Sequence, residues 1–340
     1  MKGSVLQKIV AFLLSAAICL LLTACGDEPV VETTAAVTEP TISLASADFP
    51  EQWKQYLSPW ELDAPALALR EGRIHYYFMY SMGMTIDESG TEPSKWGDAC
   101  LIAFPNGETM LVDSGHDTYA PILVENLKRL GVRKLDYVFF SHEHIDHVGG
   151  ALAEGGVFDS FPVDIAYWSG IPYPGSHELR ESCQQRGINL KGLRKGAALR
   201  IGEVRLELLW PEIYVTKESA KTVRAQNNVS AVFRLEYKTH SSLFPGDLYA
   251  AGEAQLLKAV GDKLDVDLAK ICHHGQNTSS SLEYVQMVSP KLAVATGAMP
   301  MAPEVETAYL SVGAEILHDV TNGYIHVSSD GNDLIYDNNK

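Results

Sequence analysis

Basic residues are scarce in this chain: 27 lysines and arginines stand against 43 aspartates and glutamates in 340 residues, for a net charge of −16. That balance excludes a protein that grips long duplex nucleic acid, because phosphate neutralisation needs a basic face. The local bases Arg186, Lys191, Arg194, Lys195 and Arg200, then Lys217, Lys221 and Arg224, read as a solvated face, with a phosphate-attracting rim as the alternative. Cysteine is rare as well, at five in the chain. Cys19 lies in the apolar N-terminal run and Cys25 just after it, which leaves Cys100, Cys183 and Cys272. An odd number, two of them in apolar strand-like runs, excludes a disulfide framework. No apolar run reaches the roughly 20 residues a membrane-spanning helix needs. There is no G-x-G-x-x-G to mark a doubly wound nucleotide fold and no G-x-S-x-G to mark a serine nucleophile.

What is present begins with an address. Lys2 and Lys8 precede the apolar stretch Ile9 to Leu22, which ends in Leu22-Thr23-Ala24-Cys25. This is the layout of a bacterial lipoprotein signal peptide over residues 1–24, with Cys25 as the lipid acceptor. The mature protein is then expected at the extracytoplasmic face of the cell membrane, since several acyl chains on one cysteine give stable anchoring. Residues 25–67 are low in large apolar side chains, and from Cys25 to Arg70 eight acids outnumber two bases. They read as an acidic tether, with Trp53, Tyr56 and Trp60 on a short docking helix. Residues 68–340 suit one domain. Strand-like runs such as Ile74-Phe78, Cys100-Phe104, Leu135-Phe140, Val163-Trp168 and Val204-Trp210 are mixed with helical runs such as Tyr119-Leu130, Glu178-Arg186 and Ala250-Val260.

The most informative stretch is Ser141-His142-Glu143-His144-Ile145-Asp146-His147, directly after the apolar run Leu135 to Phe140. Three imidazoles and a carboxylate leaving a strand together suit zinc, iron or manganese. Further ligand-type residues close other strands: Asp113 after Leu111-Val112, Asp247 after Phe244-Pro245-Gly246, and the pair His273-His274 after Ala269-Lys270-Ile271-Cys272. Strands that each end in such residues place one site along one edge of a sheet sandwich.

These motifs resemble those of the metallo-β-lactamase superfamily, whose signature is H-x-H-x-D-H. Gly97-Asp98-Ala99-Cys100, Asn227-Asn228-Val229-Ser230, Pro245-Gly246-Asp247 and His273-His274-Gly275 look most like the hydrolase domain of ComEC-type DNA-uptake proteins and their stand-alone relatives. The resemblance spans roughly residues 72–338 and implies an α/β (α+β) fold, the αββα sandwich. It also implies two divalent ions, zinc first, with manganese or iron as alternatives. His142 and His144 would hold the first ion, Asp146 and His147 the second, and Asp247 would bridge them. The last ligand would be His273 or His274; His273 is preferred because it directly follows the strand. Asp146 and Asp247 are the catalytic carboxylates of this reading, and Asp113 would orient the loop. Two such ions about 3.5–4 Å apart share a hydroxide whose pKa falls towards about 7.

One departure stands out. Many members carry a third imidazole for the first ion about 20 residues before the bridging Asp, and here Asn228 occupies that region. His240 and His177 are the candidate substitutes, and Asn228 and Ser230 would instead contact substrate oxygens. The expected activity is a phosphodiesterase or nuclease acting on small or single-stranded phosphoesters. The alternatives are an ester, thioester or lactone hydrolase of the same fold, or a non-catalytic surface binding protein with a residual metal site. The expected partners are a small or polymeric phosphoester and, through the anchor, the membrane; stable duplex nucleic-acid binding is not expected.

Overall fold

The computed structural model describes residues 72–338 together with Leu57, apart from 80–82, 88–89, 95–96, 174–177, 214, 216–220 and 298–299. The segments expected to be a signal peptide (1–24) and an acidic tether (25–67, apart from Leu57), with Cys25, Trp53, Tyr56 and Trp60, and also His177 and Lys217, lie outside the described residues.

Two sheets carry the fold. In the eight-stranded sheet the spatial order is 334–338, 325–329, 74–78, 100–103, 109–112, 135–140, 163–168, 189–192. In the seven-stranded sheet it is 315–318, 292–295, 268–270, 240–244, 232–237, 204–210, 198–201. A separate hairpin pairs Gly83–Asp87 with Gly90–Ser94.

Strand alternation explains why the sheets stack. Tyr76, Phe78, Ile102, Met110, Val112 and Phe139 point inward and meet Leu206, Phe233, Leu235 and Phe244 from the other sheet. The Phe139 and Phe233 rings are 4.5 Å apart, tilted by 59°. Truncating Phe139 to alanine would cost about 3–5 kcal/mol. The intervening residues Tyr77, Leu101, Leu111, Val138 and Phe140 point outward, under Ile122, Leu123 and Leu127 of the helix Ala120–Arg129. On the opposite side Val232, Leu243, Ala269 and Ala293 lie beneath Leu256, Tyr284 and Val305 from three helices. With both faces of both sheets buried, the order of layers is helix, sheet, sheet, helix, as expected.

Inner strands follow the sequence reading closely; Ile74–Phe78, Leu135–Phe140, Val163–Trp168 and Val204–Trp210 match to the residue. The strands it did not anticipate include all four sheet edges: Leu334–Asn338, Asn189–Gly192, Glu315–His318 and Ala198–Ile201. Edge strands are short and half solvated, so they carry charged residues such as Lys191 and Arg200 in place of an apolar run.

The site is positioned by the parallel part of each sheet. Thr109–Val112 pairs in parallel with Leu135–Phe140, and His240–Phe244, Leu268–Lys270 and Leu292–Ala295 are parallel to one another. Their C-terminal ends open into the loops holding Asp113, His142–His147, Asp247, His273–His274 and Thr296. The carboxyl ends of parallel strands are where open α/β sheets place ligands.

Candidate metal centre

Asp113 organises the loop. It adopts a left-handed φ of 55° at the strand end, which turns its carboxylate onto the next loop. That carboxylate accepts from the Ser141 backbone N–H at 2.8 Å, from Ser141 Oγ at 2.8 Å and from His147 Nδ1 at 2.9 Å. The helix Ile145–Leu152 begins inside the motif, so Asp146 and His147 occupy its first turn. Gly150 lets this helix approach: a Cβ there would lie 1.9 Å from the Ser114 carbonyl oxygen.

Four ligand atoms converge. His147 Nε2 is 3.0 Å from Asp247 Oδ2 and 3.6 Å from Asp146 Oδ2. His274 Nε2 is 3.4 Å from each of the same two oxygens. The far edge of each ring is tied down, His147 Nδ1 by Asp113 and His274 Nδ1 by the Thr296 carbonyl at 3.1 Å. With Nδ1 donating, Nε2 presents its lone pair to the centre, the arrangement metal-binding histidines use. Gly297 makes room for His274, since a Cβ at its φ of 118° would sit 2.9 Å from the His274 Cβ.

His142 and His144 form the neighbouring half, with His142 Nε2 2.9 Å from His144 Nδ1. His142 Nδ1 is held at 2.9 Å from Ser141 Oγ and 3.4 Å from Ser230 Oγ. Burial holds both rings below the ordinary histidine range, so they are neutral and fit to donate. Glu143, between them, turns away and accepts from the Tyr173 backbone N–H at 2.5 Å; burial pushes its carboxyl up to about 7.

The structure separates the histidine pair in the opposite sense to the sequence preference. His274 joins the converging set, whereas His273 Nε2 is 3.9 Å from Asp247 Oδ2 and its Nδ1 lies 2.5 Å from Thr278 Oγ1. Its ring packs against Tyr249 at 4.7 Å. The reason is backbone: His273 and His274 both have left-handed φ, 45° and 53°, so strand alternation cannot be extrapolated through them.

Asn228 is likewise not gathered at the site. Its Oδ1 accepts from the Gly252 N–H at 3.0 Å and its carbonyl from Trp210 Nε1 at 2.8 Å, so it closes the short helix Val223–Asn227 against the helix Ala250–Val260. Ser230 Oγ accepts from the Asp247 N–H at 3.2 Å and supports the ligands from behind. His240 does not replace the missing imidazole; it bonds Tyr76 OH at 3.1 Å and faces Asp267 at 3.7 Å. Among the expected rim bases, Arg186 and Lys195 are paired with Asp159 and Glu212, and Arg194 caps the Val215 carbonyl at 2.8 Å. Lys221 and Arg224 are exposed.

Two residues were missed by sequence reasoning. Asp98 lies in the same cluster with His147, Asp247 and His274. Its carboxylate faces their Nδ1 edges, 3.4 Å from His274 Nδ1 and 3.9 Å from His147 Nδ1, so it braces the rings rather than joining the converging atoms. Thr296 Oγ1 donates to it, and Lys270, itself buried, forms an ion pair with it. The Lys270 Nζ is also 3.2 Å from the Gly246 carbonyl and 3.6 Å from Asp247 Oδ1. The available signal was a lysine inside an apolar strand, a residue type almost never buried unless paired.

The donor set fits a divalent cation. With His147 and His274 neutral, as ligands are, Asp98, Asp113, Asp146 and Asp247 against Lys270 leave three negative charges in a buried site, which a divalent cation would offset in place of the two imidazole protons. His144 Nε2 and Asp247 Oδ1 are buried and have no hydrogen-bond partner among the described residues. Imidazole and carboxylate together suit zinc, iron or manganese.

Comparison with known proteins agrees. The Metallo-beta-lactamase superfamily profile matches residues 97–296. The ComE operon protein 3 of Bacillus subtilis (strain 168) is 25% identical over 175 residues, which is 51% of this chain and 21% of that protein. The uncharacterized protein YcaI of Escherichia coli (strain K12) is 30% identical over 196 residues, 57% of this chain and 21% of that one. The chain therefore corresponds to a minor part of both relatives. A UPF0173 metal-dependent hydrolase from Staphylothermus marinus is 22% identical over 194 residues, 55% of this chain and 72% of that protein. Among solved structures, the metallo-beta-lactamase fold protein YhfI from Bacillus subtilis is similar with a TM-score of 0.43 and 12% identity, over 78% of this chain and 99% of that one. The chain belongs to the metallo-β-lactamase superfamily, and its likeness to ComE operon protein 3 and Competence protein ComA supports a ComEC-like branch of it.

Proposed function

We propose that the protein is a phosphodiesterase with a dinuclear centre, anchored outside the cell membrane through Cys25. The observation that carries the reading is that His147 Nε2 and His274 Nε2 each lie 3.0–3.6 Å from both Asp146 Oδ2 and Asp247 Oδ2. These four would hold one ion. His142 and His144 would hold the other, with Asp247 shared. When bound, such ions supply Lewis acidity and an activated water.

The chain's own residues do the rest. Asp113 and the Thr296 carbonyl fix the imidazole orientations, and Ser230 supports the Asp247 backbone. Lys270 and Asp98 neutralise one another beneath the site, leaving the charge of Asp146 and Asp247 for the cation. No side-chain nucleophile is required, in keeping with the lack of G-x-S-x-G.

A phosphodiester substrate is supported by the resemblance to the hydrolase domain of DNA-uptake proteins and by the likeness to Competence protein ComA of Neisseria gonorrhoeae. The net charge of −16 favours small or single-stranded phosphoesters over duplex. Anchoring is supported by the Leu22-Thr23-Ala24-Cys25 sequence.

The test is the Asp247→Ala variant of the full-length protein, purified without chelator. It should stay folded while losing bound metal and hydrolysis of bis(p-nitrophenyl) phosphate together. Undiminished hydrolysis by that variant would sink the proposal.

A further inference from the structure

A cleft of about 560 Å³ opens between the helices Leu282–Val288 and Pro303–Ser311. One wall is the direct continuation of the metal-site loop: Asn277, Ser279, Ser280 and Ser281 line the cleft, and Thr278 among them bonds His273 Nδ1. The two helices bury Tyr284, Val285, Val305 and Tyr309 in a common core, yet Gln286, Glu304 and Thr307 border the cleft. Glu304, Thr307 and Ser311 recur at helical spacing, forming a polar stripe along the wall.

The loop is held in a defined shape. Glu253, fully buried, accepts from the Ser281 N–H at 2.9 Å and the Ser280 N–H at 2.5 Å. Ser280 sits at a left-handed φ of 59°, a strained position for a residue with a side chain, and such strain concentrates at ligand sites. Ser279 is 5% exposed and lines the cleft, and its Oγ has no hydrogen-bond partner among the described residues. A buried hydroxyl in that state is destabilising until something bonds it.

The lining chooses the ligand. It offers hydroxyls, two carboxamides and one carboxylate beside the apolar Leu282, Val305 and Ala308, a mixture that suits a sugar's hydroxyls and its C–H face, and among its described residues there is no lysine, arginine or aromatic ring. A phosphate would face Glu304 without a cation, and a nucleobase would find no ring to stack on. Polyol hydroxyls can donate to Glu304 and accept from Ser279, Asn277 and Gln286. We propose that this cleft is a subsite for a neutral polyhydroxylated unit, a sugar or polyol, joined to the group that is hydrolysed at the metal centre.

The assignment rests on the phosphodiesterase reading, so the test has two arms on the full chain. The first is saturation-transfer NMR with glycerol and with N-acetylglucosamine. The second is the ratio of rates on the p-nitrophenyl ester of glycerol phosphate and on bis(p-nitrophenyl) phosphate. Both use the Thr307→Trp variant, whose new ring fills the cleft from an exposed helix position, and the Gln286→Leu variant as a second probe. Transfer to one or both compounds in the wild type, lost in Thr307→Trp, with a rate ratio that falls about tenfold, is the expected result. Transfer equal in all three proteins, or a ratio that does not move, overturns the subsite and leaves the phosphodiesterase standing. Hydrolysis of neither ester overturns the phosphodiesterase, and the NMR arm alone then decides whether the cleft takes a polyol.

Discussion

Asp113 Oδ2 accepts from His147 Nδ1 at 2.9 Å, on the ring edge opposite the Nε2 that faces Asp247 at 3.0 Å. One carboxylate thus sets both the tautomer and the aim of a buried imidazole. Asp113→Asn keeps the shape but weakens this grip, and bound-metal affinity should fall about 10- to 100-fold. Competition titration against a chromogenic chelator measures it. An unchanged affinity would show that the loop holds His147 without help.

The two adjacent imidazoles should respond differently. His274→Ala removes a converging atom, and the second ion should be lost from a dialysed sample. His273→Ala removes a ring packed on Tyr249 and tied to Thr278, and metal content should remain. Elemental analysis of the two variants side by side checks this; the reverse pattern would restore His273 as the ligand.

Metal affinity should climb with pH. Burial alone would strip the proton from His147, but Asp247, Asp113 and Asp146 outweigh it and hold the imidazolium well above its ordinary range. His274 is held up in the same way by Asp247 and Asp98 against its burial. A cation must displace these protons, so affinity should rise about tenfold per pH unit for each proton released. The metal-free protein has the opposite trend. Stability from these raised histidines is fully present below about pH 6.5 and is lost as pH rises through their folded values. Calorimetry in buffers of different ionisation heat counts the protons, and a flat affinity between about pH 6 and about pH 8 would contradict the assignment.

Lys270 is a structural counter-charge. Lys270→Met leaves Asp98 buried without its cation and should cost about 3–5 kcal/mol, read from denaturant unfolding. Adding Asp98→Asn should recover part of that loss. A double variant no better than the single one would place the cost in packing around the lysine stem instead.

Sequence alone determined the superfamily, the sandwich and most of the residues that the candidate site gathers. The inner strands announce themselves because their buried positions are written in apolar residues, unbroken in Cys100–Ala103 and Leu292–Ala295 and alternating with charge in Val204–Trp210. The ligands announce themselves because imidazoles and carboxylates stand where those runs end. The four edge strands were not legible, because a half-solvated strand tolerates lysine and arginine and loses its apolar signature. Tertiary structure alone decided three matters at the site. The left-handed turn at His273 and His274 chose which imidazole faces the cluster. Asn228 proved to brace Gly252 and Trp210, although its position in the chain matches that of a metal ligand. Asp98 and Lys270, 172 positions apart, meet only because one follows the start of the domain's first sheet and the other closes a strand of the second. Local patterns report what a residue's immediate neighbours require of it. Which distant groups share a buried charge is set by how the two sheets stack, and that is a property of the folded chain.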